Sequence, residues 1–258
     1  MDESPTDESP LGEPLDWSPP PAPIASVALE GATVRLEPVD PDRHAAALFA
    51  AAQGPGADPR LWNYMSYGPF ADLAEFQAWL RAGPAASDPL FYAIVDRTTS
   101  GARGMASYLR ISPPHGVIEI GHIWFGAGLQ RTRQATEAIY LLGRHAFDEF
   151  GYRRLEWKCD ALNARSRRAA ERFGFTFEGI FRQHVVVKGR NRDTAWFAIL
   201  DRDWPRIRVA FETWLAPANL DATGQQRRSL AEIRADLERS NSWPAPARRG
   251  AAGASRGG

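Results

Sequence analysis

The chain has 258 residues, of which 44% are hydrophobic and 24% are charged, enough to bury one sizeable core. Its 31 Lys and Arg balance 31 Asp and Glu, which excludes a global attraction to nucleic acid or to an anionic membrane. The single cysteine, Cys159, excludes an intramolecular disulfide framework and a cysteine-rich metal site. We therefore expect a cytoplasmic protein without a metal, in which any anion site is local.

Both ends of the chain have the composition of unfolded segments. The N-terminal segment is acidic and proline-rich, whereas a signal peptide needs a basic start followed by an apolar run. The C-terminal segment is basic and has little apolar surface to offset the entropy of ordering it. No stretch approaches the roughly 18 apolar residues of a membrane span. We expect disordered tails over 1–27 and 243–258, a folded domain over 28–217 and a helical extension over 218–242.

The first half of the folded region alternates between strand-like and helix-like patterns. Asp40 followed by Pro41 is typical of a helix N-terminus. Gly, Pro and Ser residues then separate three strand-like runs, which favours an antiparallel meander. The predicted elements are, in chain order, a strand over 33–39, helices over 41–53 and 72–80, and strands over 90–96, 104–111 and 116–125.

The second half contains the strongest helical pattern, over 132–150, where apolar residues recur at three-to-four spacing before Gly151. Asn163 is predicted to cap a further helix that ends at Gly174. The alternation of elements predicts an α+β fold with a mixed, mostly antiparallel twisted sheet flanked by helices. The remaining predicted elements are a strand over 154–159, a hairpin of strands over 175–187 and 192–200, and helices over 204–214 and 229–239.

The segment from Glu119 to Arg182 carries a family resemblance. A strand leads into the loop QRTRQA, residues 130–135, which opens a long helix; a strand, an Asn163-initiated helix and Gly174 with Phe175 follow. This order resembles the core of the GCN5-related N-acetyltransferase (GNAT) superfamily, whose loop has the pattern Q/R-x-x-G-x-G/A. The later KGRNRDTAWFAILDRDW resembles the branch that acetylates ribosomal-protein N-termini. The resemblance spans about 31–205 and implies the GNAT fold followed by a helical extension.

A loop that opens a helix presents unpaired backbone N–H groups and the positive end of the helix dipole to an anion such as a pyrophosphate. Residues 130–192 carry fourteen Lys and Arg against seven Asp and Glu, which suits such a site. Arg133 occupies the position of the motif's central glycine. Two outcomes are open: its Cβ crowds a diphosphate, or its guanidinium pairs with the phosphate oxygens. The resemblance implies acetyl-CoA as co-substrate, bound by Ile123, Trp124, Phe125, Gln130, Arg131, Thr132, Arg133, Gln134, Ala135, Asn163 and Ser166.

The resemblance further implies direct attack of an amine on the thioester in a ternary complex. Glu119, eleven residues before Gln130, is the candidate general base; the alternative is that it pairs with an arginine or a backbone group. Strand alternation predicts that His122 lies on the opposite face from Glu119. Relatives carry a tyrosine general acid seven residues after Asn163, where this chain has Ala170. Ser166 is the candidate substitute.

The acceptor is predicted to bind near the aromatic segment LWNYMSYGPF, residues 61–70, between the first two helices. Trp62, Tyr64 and Tyr67 either contact the substrate or pack the domain. The sequence leaves the acceptor open among a protein N-terminus, a lysine, a polyamine, an antibiotic and a small amino compound. The oligomeric state is open too, with a homodimer suggested by the family resemblance.

Two rival functions remain alongside the enzyme. Arg133 and Ala170 together motivate a catalytically inactive module that binds CoA or a partner. The arginine-rich stretch over 131–192 and the basic tail motivate a nucleic-acid binder, although zinc spacing and an RNP-like aromatic motif are lacking. We predict an acyl-CoA-dependent N-acyltransferase, with Cys159 as a buried small residue rather than a nucleophile.

Overall fold

The computed structural model describes residues 11–20, 24, 26–83 and 88–240. Its strands are β1 (Leu29–Glu30), β2 (Val34–Pro38), β3 (Leu90–Asp96), β4 (Ala102–Ser112), β5 (Val117–Phe125), β6 (Arg154–Asp160), β7 (Thr176–Val187) and β8 (Arg190–Leu200). They form one sheet in the order β1-β2-β3-β4-β5-β6-β8-β7, in which the β5–β6 pair is parallel and the other pairs are antiparallel. The predicted mixed sheet is confirmed, with the short β1 added before it.

In the described part of the chain, six α-helices flank the sheet: α1 (Pro41–Gln53), α2 (Leu73–Ala82), α3 (Arg133–Arg144), α4 (Ala164–Phe173), α5 (Trp204–Leu215) and α6 (Leu230–Arg239). The predicted caps are confirmed, since the Asp40 side chain accepts two N–H groups of α1 and Asn163 accepts one of α4. The helix predicted over 132–150 is α-helical as far as Arg144 and ends in a π-turn, His145–Glu149. The first ten residues and those after 240, parts of the predicted tails, lie outside the described residues.

Two apolar clusters pack on opposite faces of the sheet. The larger contains residues of α3 and α5 against β5, β6 and β8, and the smaller contains residues of α1 and α2 against β3 and β4. Leu155 and Trp157 of β6 belong to the larger cluster, so Glu156 and Lys158 point to the other face. That face is therefore apolar near α1 and charged near β6.

Of the C-terminal helices, α5 packs on α3, and α6 packs on α5 and α4. Trp204 stacks on Phe147 with ring centroids 5.1 Å apart, and Leu230 and Ile233 of α6 are buried in the larger cluster. Near the other end of the chain, the Trp17 indole donates to the Gly151 carbonyl at 3.2 Å. Within the described ranges, no helix is long and apolar enough to cross a membrane, and no group of three or more His, Cys, Asp or Glu is placed to hold a metal.

Candidate active site

The two parallel strands β5 and β6 separate in the middle of the sheet. Their pairing runs from Val117 opposite Arg154 to Ile120 opposite Trp157. Beyond that pair, β5 continues to Phe125 and pairs with β4 alone in the described part of the chain. The backbone edge of β5 over residues 121–125 therefore faces a gap, and its N–H and C=O groups on that side are available to a ligand.

A bulge in β5 turns His122 toward this gap. Gly121 pairs with Ser107 and Trp124 with Met105, so β5 has one more residue than β4 between the two pairs. His122 occupies the left-handed region at φ +49°, which breaks the strict alternation of side chains. Glu119 and His122 consequently line the same cleft. The prediction that they lie on opposite faces is wrong for this reason.

The cleft beside the gap has a volume of about 320 Å³. Elements distant in sequence enclose it: β5 and β6, the start of α4, the loop after α1 and the β7–β8 hairpin. Five residues predicted from the sequence line it together, namely Tyr64, Glu119, Ile123, Asn163 and Ser166. The cleft thus unites the candidate base, part of the predicted CoA site and part of the predicted acceptor site.

Glu119 is held at the cleft by two cations. It is 3% exposed, and its Oε2 accepts from Arg110 Nη1 at 2.7 Å and lies 2.9 Å from Lys158 Nζ. Lys158 also lies 2.7 Å from Glu156 Oε2, and its ammonium sits 3.8 Å from the ring centre of Trp196. A buried carboxylate needs such partners, because burial removes its hydration. The network fixes the orientation of Glu119.

His122 is neutral at neutral pH. Burial, together with the smaller effect of the charges of Arg110 and Arg192, lowers the pKa of its imidazole to about 4. Its ring stacks on Tyr67 at 5.5 Å and packs on Phe91 at 5.1 Å. Burial also raises the pKa of Tyr67, whose hydroxyl is buried without a hydrogen-bond partner among the described residues. His122 therefore offers one donor and one acceptor nitrogen and no charge.

The loop between β5 and α3 is tied at both ends. Gln130 Nε2 donates to the Phe125 carbonyl at 3.0 Å, which fixes the loop to the end of β5. Thr132 caps α3, since its Oγ1 accepts from Ala135 N–H at 3.2 Å and donates to the Leu129 carbonyl at 2.7 Å. The capped loop presents the N-terminus of α3 beside the gap.

Two arginines of this loop point in different directions. Arg131 is exposed and adopts a left-handed conformation at φ +61°. The Arg133 guanidinium instead donates to the Leu215 carbonyl at the C-terminus of α5. Gln134 Nε2 donates to Asp96 at 3.2 Å. Because the side chains of Arg133 and Gln134 are engaged by the protein, this loop offers an anion its backbone N–H groups and Arg131.

The family model described as an acetyltransferase (GNAT) domain matches residues 33–176, more than half of the chain. The chain belongs to the GNAT acetyltransferase family. A GCN5-related N-acetyltransferase structure from Brucella melitensis is 48% identical, with 85% of this chain and 99% of that chain covered and a TM-score of 0.82. The predicted resemblance and the N-acetyltransferase class are thereby confirmed.

Two curated bacterial proteins are also similar to this GNAT chain. The uncharacterised N-acetyltransferase p20 of Bacillus licheniformis is 25% identical over 151 residues, which are 57% of this chain and 84% of that protein. YdaF of Bacillus subtilis strain 168, a candidate ribosomal N-acetyltransferase, is 30% identical over 101 residues, 39% of this chain and 55% of that protein. The second match supports the resemblance to the ribosomal branch of the family.

In this GNAT domain, the start of α4 lies against the end of β6. Asn163 Oδ1 accepts from Ser166 N–H at 3.1 Å, and Ser166 Oγ accepts from the Trp157 indole at 3.0 Å. Cys159 is buried beside Ser166, and burial raises the pKa of its thiol. A buried, protonated thiol is a poor nucleophile, in keeping with the packing role predicted for Cys159.

The three predicted acceptor residues of the aromatic segment lie at different distances from the cleft. Tyr64 lines the cleft, and its hydroxyl donates to the Leu162 carbonyl at 3.3 Å. The Tyr67 ring stacks on His122 and lies behind the residues that line the cleft. Trp62 is 3% exposed and packs in the smaller apolar cluster, not along the cleft. Tyr64 is thus the member of this segment placed to contact an acceptor.

Three basic residues of the site were missed by sequence reasoning. Arg110 and Arg192 line the cleft. Lys188, at the tip of the β7–β8 hairpin, donates to the Trp62 and Gly68 carbonyls at 2.9 and 2.5 Å. Burial lowers the pKa of Lys188. The KGRNRD turn predicts the hairpin, but no local pattern shows that its tip reaches a loop 120 residues earlier.

Proposed function

We propose that this chain transfers an acetyl group from acetyl-CoA to a primary amine by direct attack in a ternary complex. The separation of β5 from β6 after Ile120 carries the proposal, because the gap opens into the cleft that holds Glu119. An extended pantetheine arm fits such a gap, since it pairs with the free backbone edge of β5 as a neighbouring strand does. Acetyl-CoA supplies the acyl group as a reactive thioester.

The residues around the gap fit CoA in two places. The edge of β5 over Ile123, Trp124 and Phe125 receives the pantetheine arm, flanked by Asn163 and Ser166 of α4. The N-terminus of α3 receives the pyrophosphate through the backbone N–H groups of Arg131, Arg133 and Gln134, because those of Thr132 and Ala135 donate within the loop. The exposed Arg131 adds a charge there. Arg133 contributes its backbone N–H, because its guanidinium is held by α5.

The reaction requires a proton acceptor, because a lysine-like amine with a pKa near 10.4 reaches the site protonated. Glu119 accepts that proton at its carboxylate, which Arg110 and Lys158 hold toward the cleft. Backbone N–H groups of β5 near Ile123 donate to the acyl oxygen as negative charge develops on it. A thiol with a pKa near 8.5 leaves readily, so a proton from Ser166 or from water suffices.

A mass-spectrometric assay with acetyl-CoA and a panel of primary amines, including serine-initiated peptides, tests this proposal. We expect a monoacetylated amine and intersecting initial-rate lines when both substrates are varied. Glu119→Gln should lower kcat by about 100-fold, and Ser166→Ala by less. Parallel lines, or an acetyl group found on Cys159, would contradict direct attack. Binding of acetyl-CoA without any acetylated amine would instead favour the inactive module motivated by Arg133 and Ala170.

A further inference from the structure

The acceptor cleft holds an arginine that the proposed acetyl transfer does not use. Three basic side chains line the cleft, Arg110, Lys158 and Arg192, against two acidic ones, Glu119 and Asp160. Arg110 and Lys158 both pair with Glu119. Arg192 forms no ion pair with any described residue, and its Nε is buried without a hydrogen-bond acceptor. Among the described residues, Arg192 is therefore the cleft guanidinium without an ion-pair partner, and Asp160 is the cleft carboxylate without one.

Arg192 is close to the groups at the reacting end of the cleft. It lies on β8 two residues from Thr194, which is paired with Asp160 at the end of β6. The positive charge of Arg192 lowers the pKa of His122 and opposes the rise in the pKa of Cys159. A buried donor without an acceptor costs free energy, and a carboxylate fits the planar guanidinium fork.

We infer that this cleft selects amine acceptors that carry a carboxylate close to the reacting amine, and that Arg192 binds that carboxylate. This inference rests on the proposed acetyl transfer and narrows its substrate class. An amine surrounded by further cationic groups, such as a polyamine or a lysine-rich segment, meets the charge of Arg192 and is disfavoured. Arg192 is thus a specificity-determining residue, while Glu119 remains the candidate base.

Acceptors that differ in charge alone test the inference. Three peptides share an N-terminal serine and continue with Asp-Asp, Asn-Asn or Lys-Lys; β-alanine and β-alaninamide form a matched small-molecule pair. We expect wild-type kcat/KM to favour the Asp-Asp peptide over the Lys-Lys peptide at least tenfold. If β-alanine is also preferred over β-alaninamide, a small amino acid suffices as acceptor. If the preference for the anionic acceptor appears only among the peptides, the acceptor is a peptide.

Substitutions at Arg192 test whether this residue causes the preference for the Asp-Asp peptide. Arg192→Gln should bring the Asp-Asp to Lys-Lys ratio close to one, Arg192→Glu should reverse it, and Arg192→Lys should keep most of it. Arg202→Gln is the matched control, because Arg202 is exposed in the turn after β8, whose end at Leu200 is about 26 Å along the strand from Arg192. Thermal unfolding verifies that each variant is folded. An unchanged ratio in folded Arg192→Gln, or a wild-type preference for Lys-Lys, overturns the inference.

Binding separates a failure of this inference from a failure of the proposed function. If no acceptor is acetylated, the peptides are titrated by calorimetry into wild-type protein and Arg192→Gln, each saturated with CoA. Tighter binding of the Asp-Asp peptide that is lost in Arg192→Gln supports the anion site even though the transfer is refuted. Equal affinities for the Asp-Asp and Lys-Lys peptides overturn the anion site.

Discussion

His122 occupies a left-handed backbone position within a β-strand, with its ring packed between those of Tyr67 and Phe91. Such a conformation costs a non-glycine residue about 1 kcal/mol or more, and Asn and His tolerate it better than most. Burial lowers the pKa of the imidazole to about 4. The bulge thus places a neutral imidazole in the cleft and links the stability of the fold to pH.

His122→Asn should make the free energy of unfolding less sensitive to acid. Because the folded pKa lies below the ordinary value of 6.5, the unfolded chain takes up the proton first as pH falls. The stability that the folded state keeps while His122 is neutral is fully present above about pH 6.5 and is lost progressively toward pH 4. Urea denaturation at pH 7.5 and 4.5 should show wild type losing roughly 2 kcal/mol more than the variant. Equal losses would show that His122 titrates normally.

The contrast between Glu119 and His122 shows what sequence predicts at this scale. Glu119 is a candidate through the family resemblance, in which a strand glutamate has the same spacing to the first position of the loop motif, here Gln130. The placement of His122 depends on one extra residue between two backbone pairs, and a left-handed histidine has no signature in the sequence. Arg110 and Arg192 join the cleft through strand pairing, which local periodicity does not specify.

The two arginines of the loop before α3 have different expected roles in binding acetyl-CoA. Arg131 is exposed beside the helix N-terminus, whereas Arg133 is bound to the Leu215 carbonyl. Arg131→Glu should weaken acetyl-CoA binding at least tenfold, because it places a negative charge near the pyrophosphate. Arg133→Gln should weaken binding less and lower the free energy of unfolding by about 1–3 kcal/mol. Calorimetry and urea denaturation give both values; the reverse assignment would place the phosphate at the Arg133 guanidinium.

The β7–β8 hairpin is joined to the aromatic segment by Lys188, whose ammonium donates to the Trp62 and Gly68 carbonyls. Lys188→Met keeps the aliphatic stem and removes both hydrogen bonds. We expect faster hydrogen exchange over 61–70 and a higher KM for the acceptor, with little change in the KM for acetyl-CoA. Arg190→Met, an exposed position on the same hairpin, is the control. Identical exchange in the two variants would refute this role of Lys188.

Elements with strong local signals were predicted well. Asp40, Asn163 and Gly174 mark helix ends, because capping depends on neighbouring backbone groups alone. The π-turn after Arg144 was not predicted, since apolar spacing continues unchanged through it. The sequence left Trp62 open between substrate contact and core packing, because aromatic composition alone does not distinguish a core residue from a ligand contact.

The C-terminal helices α5 and α6 belong to the same apolar cluster as α3. Ile233 of α6 is 2% exposed, and Arg234 donates to the Glu171 carbonyl at the end of α4 at 2.7 Å. Ile233→Ala should lower the free energy of unfolding by about 2–4 kcal/mol in a single cooperative transition. Val186→Ala, at a position 77% exposed, should change it by less than about 0.5 kcal/mol. If both substitutions changed the free energy of unfolding by less than about 0.5 kcal/mol, α6 would be a separate appendage.

The order of the strands in the sheet was not predicted; the family resemblance implied the fold as a whole, and the sequence pattern gave the elements in chain order. Alternation identifies individual strands, but it does not show that β5 pairs in parallel with β6 or that β8 lies between β6 and β7. That arrangement creates the gap, so the site as a whole is a property of the topology. The inferred acceptor preference would also depend on the topology, because β4, β5, β6 and β8 supply the charged residues of the cleft.

The central claim is that the gap between β5 and β6 binds acetyl-CoA beside Glu119. Calorimetric titration of the purified chain with acetyl-CoA tests it most directly. We predict saturable binding of one ligand per chain, weakened by Arg131→Glu and retained by Glu119→Gln. No measurable binding to the wild-type chain at millimolar acetyl-CoA would contradict the claim and leave the GNAT fold of this chain serving another ligand.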